Sequence, residues 1–427
     1  MDNIIAQTPS QREAFALHGL RVLDLTTPLG HMCGKILGDL GADVIKVEPL
    51  AGDAGRRRAP FHTDPSGAQH SLFWLSYNNN KRGITLHLES AEGQGIFRQL
   101  AAMADIVIES FAPGYMNSLG LGYESLRSDN PGLIYTAITP FGQTGPYRDF
   151  LASDLEIMAS AGIMSLTGYP GETPLRISMP QSEAWTSMYA AMGTMTALHY
   201  RQGGGAGQMV DVSAQQACVI LCVHAPMFWD FNRELVTREG EYMTGRTITG
   251  AKFRAVWPCK DGYLTYIIYG GPAGQKTNRE LTKWMDSLGL ASEVMRNKDW
   301  DKFEVATLTQ AEVDELEAPI GMFFERLTKS EFLNGVVERG MLGYPVASTA
   351  DILQDDQLTA RNFWEPVAVP GRSEPVLFPG EFAKFSEMSC RIRRPAPALG
   401  EHNEEVYSGL LSFSALELER LHKSGIV

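Results

Sequence analysis

Short apolar runs alternate with segments of helical spacing through the first third of the chain. The runs with the length and composition of a buried strand are 20–25, 42–47, 83–88, 105–109 and 133–138. Between them, 30–40 and 91–103 place apolar residues at helical intervals, with Ser90 as a candidate N-cap. Short strands joined by helices of this length predict an α/β fold, in which helices cover both faces of a parallel sheet.

The pattern changes beyond residue 180. The predicted helices are 183–201, 299–306, 311–330, 349–353 and 415–425, and the predicted strands are 208–212, 253–257, 262–268 and 344–347. Strand and helix signals of the first type return after residue 340. We therefore expect a large α/β domain that is discontinuous in sequence, formed by 1–215 and 340–427, with a smaller α+β domain inserted at 216–339.

Composition narrows the class of protein. The chain has 427 residues with 37 Lys and Arg against 50 Asp and Glu, a formal net charge of −13, and 44% of its residues are hydrophobic. These values are typical of a globular enzyme and argue against a nucleic-acid partner, because a phosphate backbone requires a basic surface. They leave room for a local basic pocket that binds a small anion.

The compartment follows from what the sequence lacks. Residues 1–15 have no apolar core of signal-peptide length, and no apolar run reaches the length needed to cross a bilayer. The five cysteines are scattered, and Cys218 and Cys222 have no second pair or histidine cluster that would complete a zinc site. We expect a cytoplasmic protein with free thiols, no membrane contact and no bound metal.

Glycine-rich segments do not support a nucleotide loop. The run 203–207 follows a predicted helix and precedes a strand, which is the reverse of a dinucleotide-binding loop and is typical of a helix end. Segment 34–41 lacks the glycine spacing of that fingerprint. A nicotinamide-dependent oxidoreductase is therefore only a remote alternative.

Basic and acidic residues near predicted strand ends supply candidate chemistry. Arg56, Arg57 and Arg58 form one basic cluster, and Asn80, Lys81 and Arg82 form another just before a strand. Loops at strand ends bind anions in α/β sheets, although runs of charge are also common in solvated loops. His31 follows the first strand and could face a ligand or be structural, and Glu183 could be a capping acid at a helix N-terminus or a reactive carboxylate.

Several ordered motifs carry a family resemblance that extends over nearly the whole chain. They lie at 19–25, 37–49, 80–82, 120–123, 141–146, 207–213 and 399–402. In this order the motifs resemble the family III CoA-transferases, a group that includes formyl-CoA and carnitine CoA-transferases and the 2-methylacyl-CoA racemases. The resemblance implies a Rossmann-like large domain and an obligate dimer of two interlocked rings, either a homodimer or a heterodimer with a paralogous subunit.

The resemblance also implies a mechanism. In this family a carboxylate attacks an acyl-CoA thioester to form an enzyme-bound acyl anhydride, and the released CoA thiolate then gives an enzyme thioester that an acceptor acid resolves. The matching residue here is Glu183, which would form a glutamyl-CoA thioester. The residues expected to bind acyl-CoA, which is a substrate and not a permanently bound cofactor, are His31, Arg56, Arg57, Arg58, Asn80, Lys81, Arg82, Gly142 and Gln143.

Departures from the family pattern leave two hypotheses. The family has a Gly-Asp pair at the nucleophile where this chain has Ser182 and Glu183, and its frequent arginines are replaced at Ala112 and Ser118. Ser153 stands where the racemases have histidine, which disfavours a racemase. The chain is then either an active transferase using Glu183 with a succinyl-CoA-like donor, or a non-catalytic subunit whose partner carries the catalytic Asp, as in heteromeric benzylsuccinate CoA-transferases.

Overall fold

The computed structural model describes residues 14–427, and fifteen β-strands form within that range. In chain order they are β1 (Arg21–Leu25), β2 (Asp43–Glu48), β3 (Phe61–Thr63), β4 (Gln69–Ser71), β5 (Lys81–Thr85), β6 (Ile106–Glu109), β7 (Ile134–Thr139), β8 (Met209–Ser213), β9 (Tyr242–Met243), β10 (Phe253–Arg254), β11 (Val256–Cys259), β12 (Gly262–Thr265), β13 (Tyr344–Pro345), β14 (Trp364–Val367) and β15 (Val376–Pro379).

Helices connect and cover these strands. They are α1 (His31–Asp39), α2 (Leu72–Tyr77), α3 (Ala91–Ala102), α4 (Tyr115–Ser118), α5 (Tyr123–Leu126), α6 (Asp154–Ser160), α7 (Ser182–Gln202), α8 (Ala214–Ile220), α9 (His224–Asn232), α10 (Gly271–Ser287), α11 (Glu293–Asn297), α12 (Gln310–Phe324), α13 (Lys329–Arg339), α14 (Thr349–Leu353), α15 (Asp356–Ala360), α16 (Asn403–Leu411) and α17 (Ala415–Lys423). Short 3-10 turns lie at Ala54–Arg57, Met164–Leu166 and Trp300–Lys302.

A parallel sheet forms the centre of the fold. Its strand order is β5-β2-β1-β6-β7-β8, and every neighbouring pair is parallel. The chain leaves β1 toward β2 on one side and returns to β6 on the other, so the carboxyl ends of β1 and β6 flank the point where the strand order reverses. Ligands of open α/β sheets bind at such a point.

Alternating side chains divide the sheet into two buried faces. Leu23 and Leu25 of β1 belong to a core that also contains Phe97 of α3 and Tyr407 of α16, whereas Val22 belongs to a core with residues of α1 and α7. Because successive strand residues point to opposite faces, strands buried on both sides are apolar nearly throughout. The predicted α/β class with a parallel sheet covered on both faces is confirmed.

A second unit has its own core and an antiparallel sheet. The strands pair in the order β11-β12-β13, with Leu264 opposite Pro345, and Trp257, Tyr266 and Phe324 pack edge to face in the core. This unit comprises Met164–Leu175 and Glu234–Asp356. The described part of the first unit is 14–163, Arg176–Arg233 and Gln357–Val427.

These limits differ from the domain boundaries predicted at 215/216 and 339/340. Helix α8 packs against α6 and α7, so the first unit continues past residue 215 to Arg233. Strand β13 pairs with β12, so the segment after residue 340 stays in the second unit until Asp356. Apolar runs do not report which partner a short strand will pair with, and this is why the pattern placed both segments elsewhere.

Several predicted elements are wrong in extent. The strand predicted at 253–257 is divided into β10 and β11, and those predicted at 262–268 and 344–347 end at Thr265 and Pro345. The strand predicted at 83–88 is Lys81–Thr85, because pairing with β2 begins at Lys81. The helix predicted at 311–330 is divided into α12 and α13, because Thr328 and Glu331 form a capping box that starts a new helix. Only the 3-10 turn Trp300–Lys302 forms within the helix predicted at 299–306.

Candidate active site

Glu183 lies in the first turn of α7, where Asp154 of α6 fixes the helix start. The Asp154 Oδ1 accepts hydrogen bonds from the backbone N–H groups of Gln181 and Ser182, both 2.9 Å, and from the Ser182 hydroxyl at 2.8 Å. One turn later the Ser187 hydroxyl donates to the Leu29 carbonyl at 3.0 Å. These contacts hold the Glu183 carboxylate beside the loop that follows β1.

Arg58 engages the Glu183 carboxylate. Its Nη1 donates to both Glu183 oxygens, at 2.8 and 2.7 Å, and its guanidinium lies over the Phe73 ring at 4.3 Å. The Ser71 hydroxyl, which caps α2, donates to the Arg58 carbonyl at 2.6 Å. Burial and, secondarily, the Glu183 charge raise the pKa of Tyr77, which stacks near Phe73 at 4.8 Å. The pair is therefore seated against an aromatic wall formed by α2.

An open pocket of about 670 Å³ lies at the carboxyl ends of β1, β6 and β7. It is lined by Thr27, Leu29, Ser110, Phe111, Ala112, Pro113, Pro140, Arg148, Asp149, Phe150, Leu151, Ala152, Ser153 and Glu156. Leu29 and Ser153 join this pocket to the residues that hold the start of α7. The pocket thus occupies the point where the strand order reverses. Glu183 is not among its lining residues, and α7 meets the lining through the contact of Ser187 with Leu29.

A fully buried charge cluster lies behind the aromatic wall. Lys81 Nζ is 2.8 Å from Asp24 Oδ2, and Lys46 Nζ is 3.6 Å from Asp24 Oδ1 and 3.5 Å from Asp53 Oδ2. His31 Nε2 is 3.2 Å from Asp53 Oδ1. Two lysines therefore neutralise two aspartates, which offsets the cost of burying four charges.

The electrostatics of this cluster keep its aspartates ionised and its histidine neutral. Burial alone would raise the pKa of Asp24, but Lys46 and Lys81 outweigh it and lower that pKa to about 2. Burial, and then the Lys46 charge, lower the pKa of His31 to about 4. The His31 ring also lies 5.7 Å from both Phe73 and Trp74, so the cluster supports the wall under Arg58.

The other predicted binding residues near β2 and β5 make contacts within the protein. Arg56 pairs with Glu48 through two contacts of 2.6 and 2.7 Å and stacks on Trp74 at 3.8 Å. Arg57 is exposed and donates to the carbonyls of Ala51 and Gly52, at 3.0 and 3.3 Å. The three consecutive arginines thus have three different environments, and only Arg58 reaches Glu183.

The second predicted cluster is dispersed in the same way. The Lys81 ammonium belongs to the buried charge cluster, whereas Asn80, at φ +63°, donates to Asp39 at 2.7 Å. Arg82 points away from that cluster to Asp43 and Glu405, at 2.6 and 3.1 Å. Adjacent residues of a strand face opposite sides of the sheet, so a run of polar residues there cannot form one patch.

Gly142 and Gln143 form a turn after β7. Gly142 has φ +88°, a conformation that favours glycine, and donates its N–H to Thr139 Oγ1 at 2.9 Å. The Gln143 N–H donates to both oxygens of Asp211, at 3.1 and 3.0 Å. This turn therefore lies at the carboxyl edge of the sheet, beyond the β7 end that lines the pocket.

Sequence reasoning missed the roles of Asp24, Lys46 and Asp53. Each is less than a tenth exposed, and Lys46 lies between the buried Ile45 and Val47 of β2. That unusual position was the available signal, because an unpaired lysine is too costly to bury. Sequence reasoning also did not identify Asp154 as the group that holds the start of α7.

Between residues 14 and 427, no group of three or more His, Cys, Asp or Glu side chains is arranged to hold a metal ion. None of the helices in that range has the length and continuous hydrophobicity needed to span a bilayer.

Comparison with known proteins decides the family. The model of CoA-transferase family III matches residues 17–403. The chain belongs to CoA-transferase family III. This membership confirms the resemblance drawn from the sequence motifs, makes the chain a transferase by family, and argues against the nicotinamide-dependent alternative.

Individual members of the family are similar over nearly their full length. Subunit BbsE of succinyl-CoA:(R)-benzylsuccinate CoA-transferase from Thauera aromatica is 34% identical over 95% of this chain and 97% of its own. Succinyl-CoA–D-citramalate CoA-transferase from Chloroflexus aurantiacus is 30% identical over 98% and 100%. A CAIB/BAIF family protein from Brucella suis, whose crystal structure is known, is 29% identical over 93% and 100%, with a TM-score of 0.79.

Proposed function

We propose that this chain is a subunit of a CoA-transferase that moves CoA from a succinyl-CoA-like donor to a carboxylic acid. The observation that carries the proposal is the position of Glu183 in the first turn of α7, a helix that Ser187 ties to Leu29 in the lining of the pocket at the carboxyl ends of β1, β6 and β7. Relatives named as succinyl-CoA-dependent transferases support the choice of donor. Acyl-CoA enters as a substrate and leaves as a product.

The proposed reaction begins with attack of a Glu183 oxygen on the thioester carbonyl carbon. The C–S bond breaks, the CoA thiolate leaves, and a mixed anhydride joins the acyl group to Glu183. The thiolate then attacks the Glu183 carbonyl, which releases the donor acid and leaves a glutamyl-CoA thioester. An acceptor carboxylate repeats the two steps in reverse and departs as its CoA thioester.

CoA would lie along the pocket lined by Ser110 and Arg148, with the exposed Arg57 and the 142–143 turn as further contacts. The buried members of the predicted set, among them His31 and Lys81, support the aromatic wall from behind and do not face solvent. Binding would depend on a few placed groups, because a net charge of −13 does not attract a polyanion.

The direct test uses the chain as it is expressed, with any co-purifying paralogue retained. The preparation is incubated with succinyl-CoA and a panel of dicarboxylic and monocarboxylic acids, and new CoA thioesters are identified by mass spectrometry. Formation of an acceptor-CoA that requires both substrates supports the proposal. Hydrolysis of succinyl-CoA without transfer to any acid would contradict it.

The second candidate function is a non-catalytic subunit, and the Arg58 contact favours it. A carboxylate with both oxygens bound to a guanidinium is a weaker nucleophile, and glutamate extends one methylene further than the family's aspartate. Trapping with hydroxylamine after incubation with succinyl-CoA separates the two candidates. Modification at Glu183 supports the catalytic role, whereas modification confined to an aspartate of a co-purifying paralogue supports the non-catalytic one.

An unpartnered apolar surface supports assembly as a dimer. Helix α9 has no buried residue, and Trp229 and Phe231 are exposed, as are Met188 and Met192 on α7. Clusters of exposed apolar side chains are typical of protein interfaces. We propose that a second copy or a paralogous subunit covers it in an interlocked dimer. Native mass spectrometry would show two chains in a complex, and a stable single chain would contradict this.

The proposed compartment is the cytoplasm. Cys33, Cys218, Cys222, Cys259 and Cys390 are all free thiols, and only Cys259 is more than slightly exposed. Free thiols are typical of a reducing compartment. Cell fractionation with an antibody to the chain would test this, and recovery with secreted protein would contradict it.

A further inference from the structure

Arg58 has hydrogen-bond donors that its pair with Glu183 does not use. Only Nη1 of Arg58 contacts Glu183, and within residues 14–427 neither Nη2 nor Nε has a hydrogen-bond partner. The guanidinium is 29% exposed and the carboxylate 20%, so a ligand can reach both. An arginine presents five donors in a planar fork that suits a second carboxylate.

The arginine is held in place independently of Glu183. Its carbonyl accepts the Ser71 hydroxyl, and its guanidinium lies on Phe73. If Glu183 released it, Arg58 would therefore remain over the aromatic wall. A cation that is fixed while its counter-ion is free to leave is suited to bind a ligand carboxylate.

The distances suit a short dicarboxylic acid. The three C–C bonds of a succinyl group, each about 1.5 Å long, place its two carboxyl carbons roughly 4 Å apart. A thioester carbon in position for attack lies about 3–3.5 Å from a Glu183 oxygen. Because Arg58 is now within 2.8 Å of both Glu183 oxygens, the distal carboxylate of that succinyl group falls within its reach.

We propose that Arg58 binds the second carboxylate of a dicarboxylic substrate and, in doing so, releases Glu183. This inference rests on the proposed function, because it assigns the substrate class of the same site. The substrate carboxylate replaces the Glu183 carboxylate on the guanidinium, so Arg58 keeps a counter-ion while the partly exposed Glu183 carboxylate becomes free to attack. The thioester of a monocarboxylic acid of equal length has no free carboxylate to make that replacement, and Glu183 stays bound.

The first test needs no turnover. The full-length chain is labelled at carboxyl groups with an amine and an excess of carbodiimide, in the presence of succinamate or of butyramide at the same concentration. Succinamate has a distal carboxylate and a neutral amide in place of the thioester, whereas butyramide has no carboxylate. We expect succinamate to raise labelling of Glu183 several-fold and butyramide to leave it unchanged. Equal labelling with the two compounds would overturn the proposal, even if the chain proved to be an active transferase.

The second test uses variants and the complete enzyme. Arg58→Gln should lower the ratio of kcat/KM for succinyl-CoA to kcat/KM for butyryl-CoA by about 10- to 100-fold, the size of a lost charge-assisted contact. The ratio for Arg58→Lys should lie between the ratios for the natural chain and for Arg58→Gln. The matched control is Arg127→Gln, since Arg127 also pairs with a carboxylate, Glu124 at 3.4 Å, and lies near an aromatic ring, Tyr123 at 5.6 Å.

The outcomes separate this inference from the proposed function. Equal loss on both thioesters in Arg58→Gln, or loss of the same ratio in Arg127→Gln, would contradict the role of Arg58 in specificity. Absence of transfer from any thioester by the unaltered complex would contradict the proposed function, while the labelling experiment would still decide whether the carboxylate of succinamate displaces Glu183 from Arg58.

Discussion

Two groups of ion pairs lie on either side of Phe73 and differ in their access to water. Behind the ring, Asp24, Lys46 and Lys81 are fully buried, and their charges are balanced within the cluster. In front of it, Arg58 and Glu183 are 29% and 20% exposed, and Arg58 uses only Nη1 of its guanidinium in this pair. The contact distances are nearly the same, 2.8 Å for Lys81 with Asp24 and 2.7 Å for Arg58 with Glu183.

Distance therefore does not separate a structural ion pair from an exchangeable one, but burial does. Removing one partner of a buried pair leaves a charge that the interior cannot solvate, whereas a half-exposed pair can exchange its partner for water or a ligand. The buried cluster can thus fix the wall on which Arg58 lies, while the exposed pair stays available to substrate. The following substitutions test this division, in order of decreasing expected effect.

The largest effect is expected for Lys46→Met. The substitution leaves Asp53 without its lysine and Asp24 with only one, at a position that is 0% exposed, and should cost about 3–5 kcal/mol of unfolding free energy. Arg58→Met is the control and should cost less than about 1 kcal/mol. Urea unfolding of the two variants measures both values, and equal losses would show that burial does not distinguish the pairs.

A buried carboxylate without a lysine gives the second test. Glu109 lies on β6, next to the strand that carries Asp24, and burial raises its pKa to about 7. This folded-state pKa exceeds the usual 4.5. Between pH 4.5 and about pH 7 the folded chain therefore keeps a proton on Glu109 that the unfolded chain has released. Stability from this group is therefore complete below about pH 4.5 and is lost as the pH rises through about 7.

Glu109→Gln removes that titration. The difference in unfolding free energy between the variant and the natural chain should move in favour of the variant by about 3 kcal/mol from about pH 4.5 to about pH 8. Urea unfolding at both pH values measures it. A constant difference would mean that Glu109, like Asp24, is ionised in the folded protein throughout this range.

The sequence predicted the strands around the site better than the contacts of the charged side chains within it. Largely apolar runs marked β1, β6 and β7, because both faces of those strands are buried, and the family resemblance made Glu183 a candidate. They did not show that Arg56, Arg57 and Arg58 face three different environments. Such directions depend on a 3-10 turn and on pairing with Glu48, a residue in another element, and neither leaves a periodic signal.

The third test uses the close approach of the α1 backbone, at Gly34, to the buried charge cluster. A Cβ on Gly34 of α1 would collide with Asp24 Oδ2 and would lie 3.1 Å from Lys81 Nζ. Gly34→Ala should therefore cost about 1–3 kcal/mol by crowding the cluster. Gly95→Ala in α3, where a Cβ meets open space, should instead gain about 0.5–1 kcal/mol. Thermal unfolding compares the two, and a neutral Gly34→Ala would show that the cluster can rearrange.

Asp154→Ala should give the smallest loss of stability but a large loss in the rate of transfer. Asp154→Ala removes the three hydrogen bonds that hold the start of α7 and should cost about 1 kcal/mol. Thr309→Ala removes a capping box in the second unit at a similar cost and serves as the control. A shift of about 1 Å at a reacting group can cost about 100-fold in rate, so only Asp154→Ala should slow transfer on that scale. Equal activity of the two variants, at equal stability, would mean that the position of Glu183 does not limit the reaction and that the working carboxylate belongs to the partner subunit.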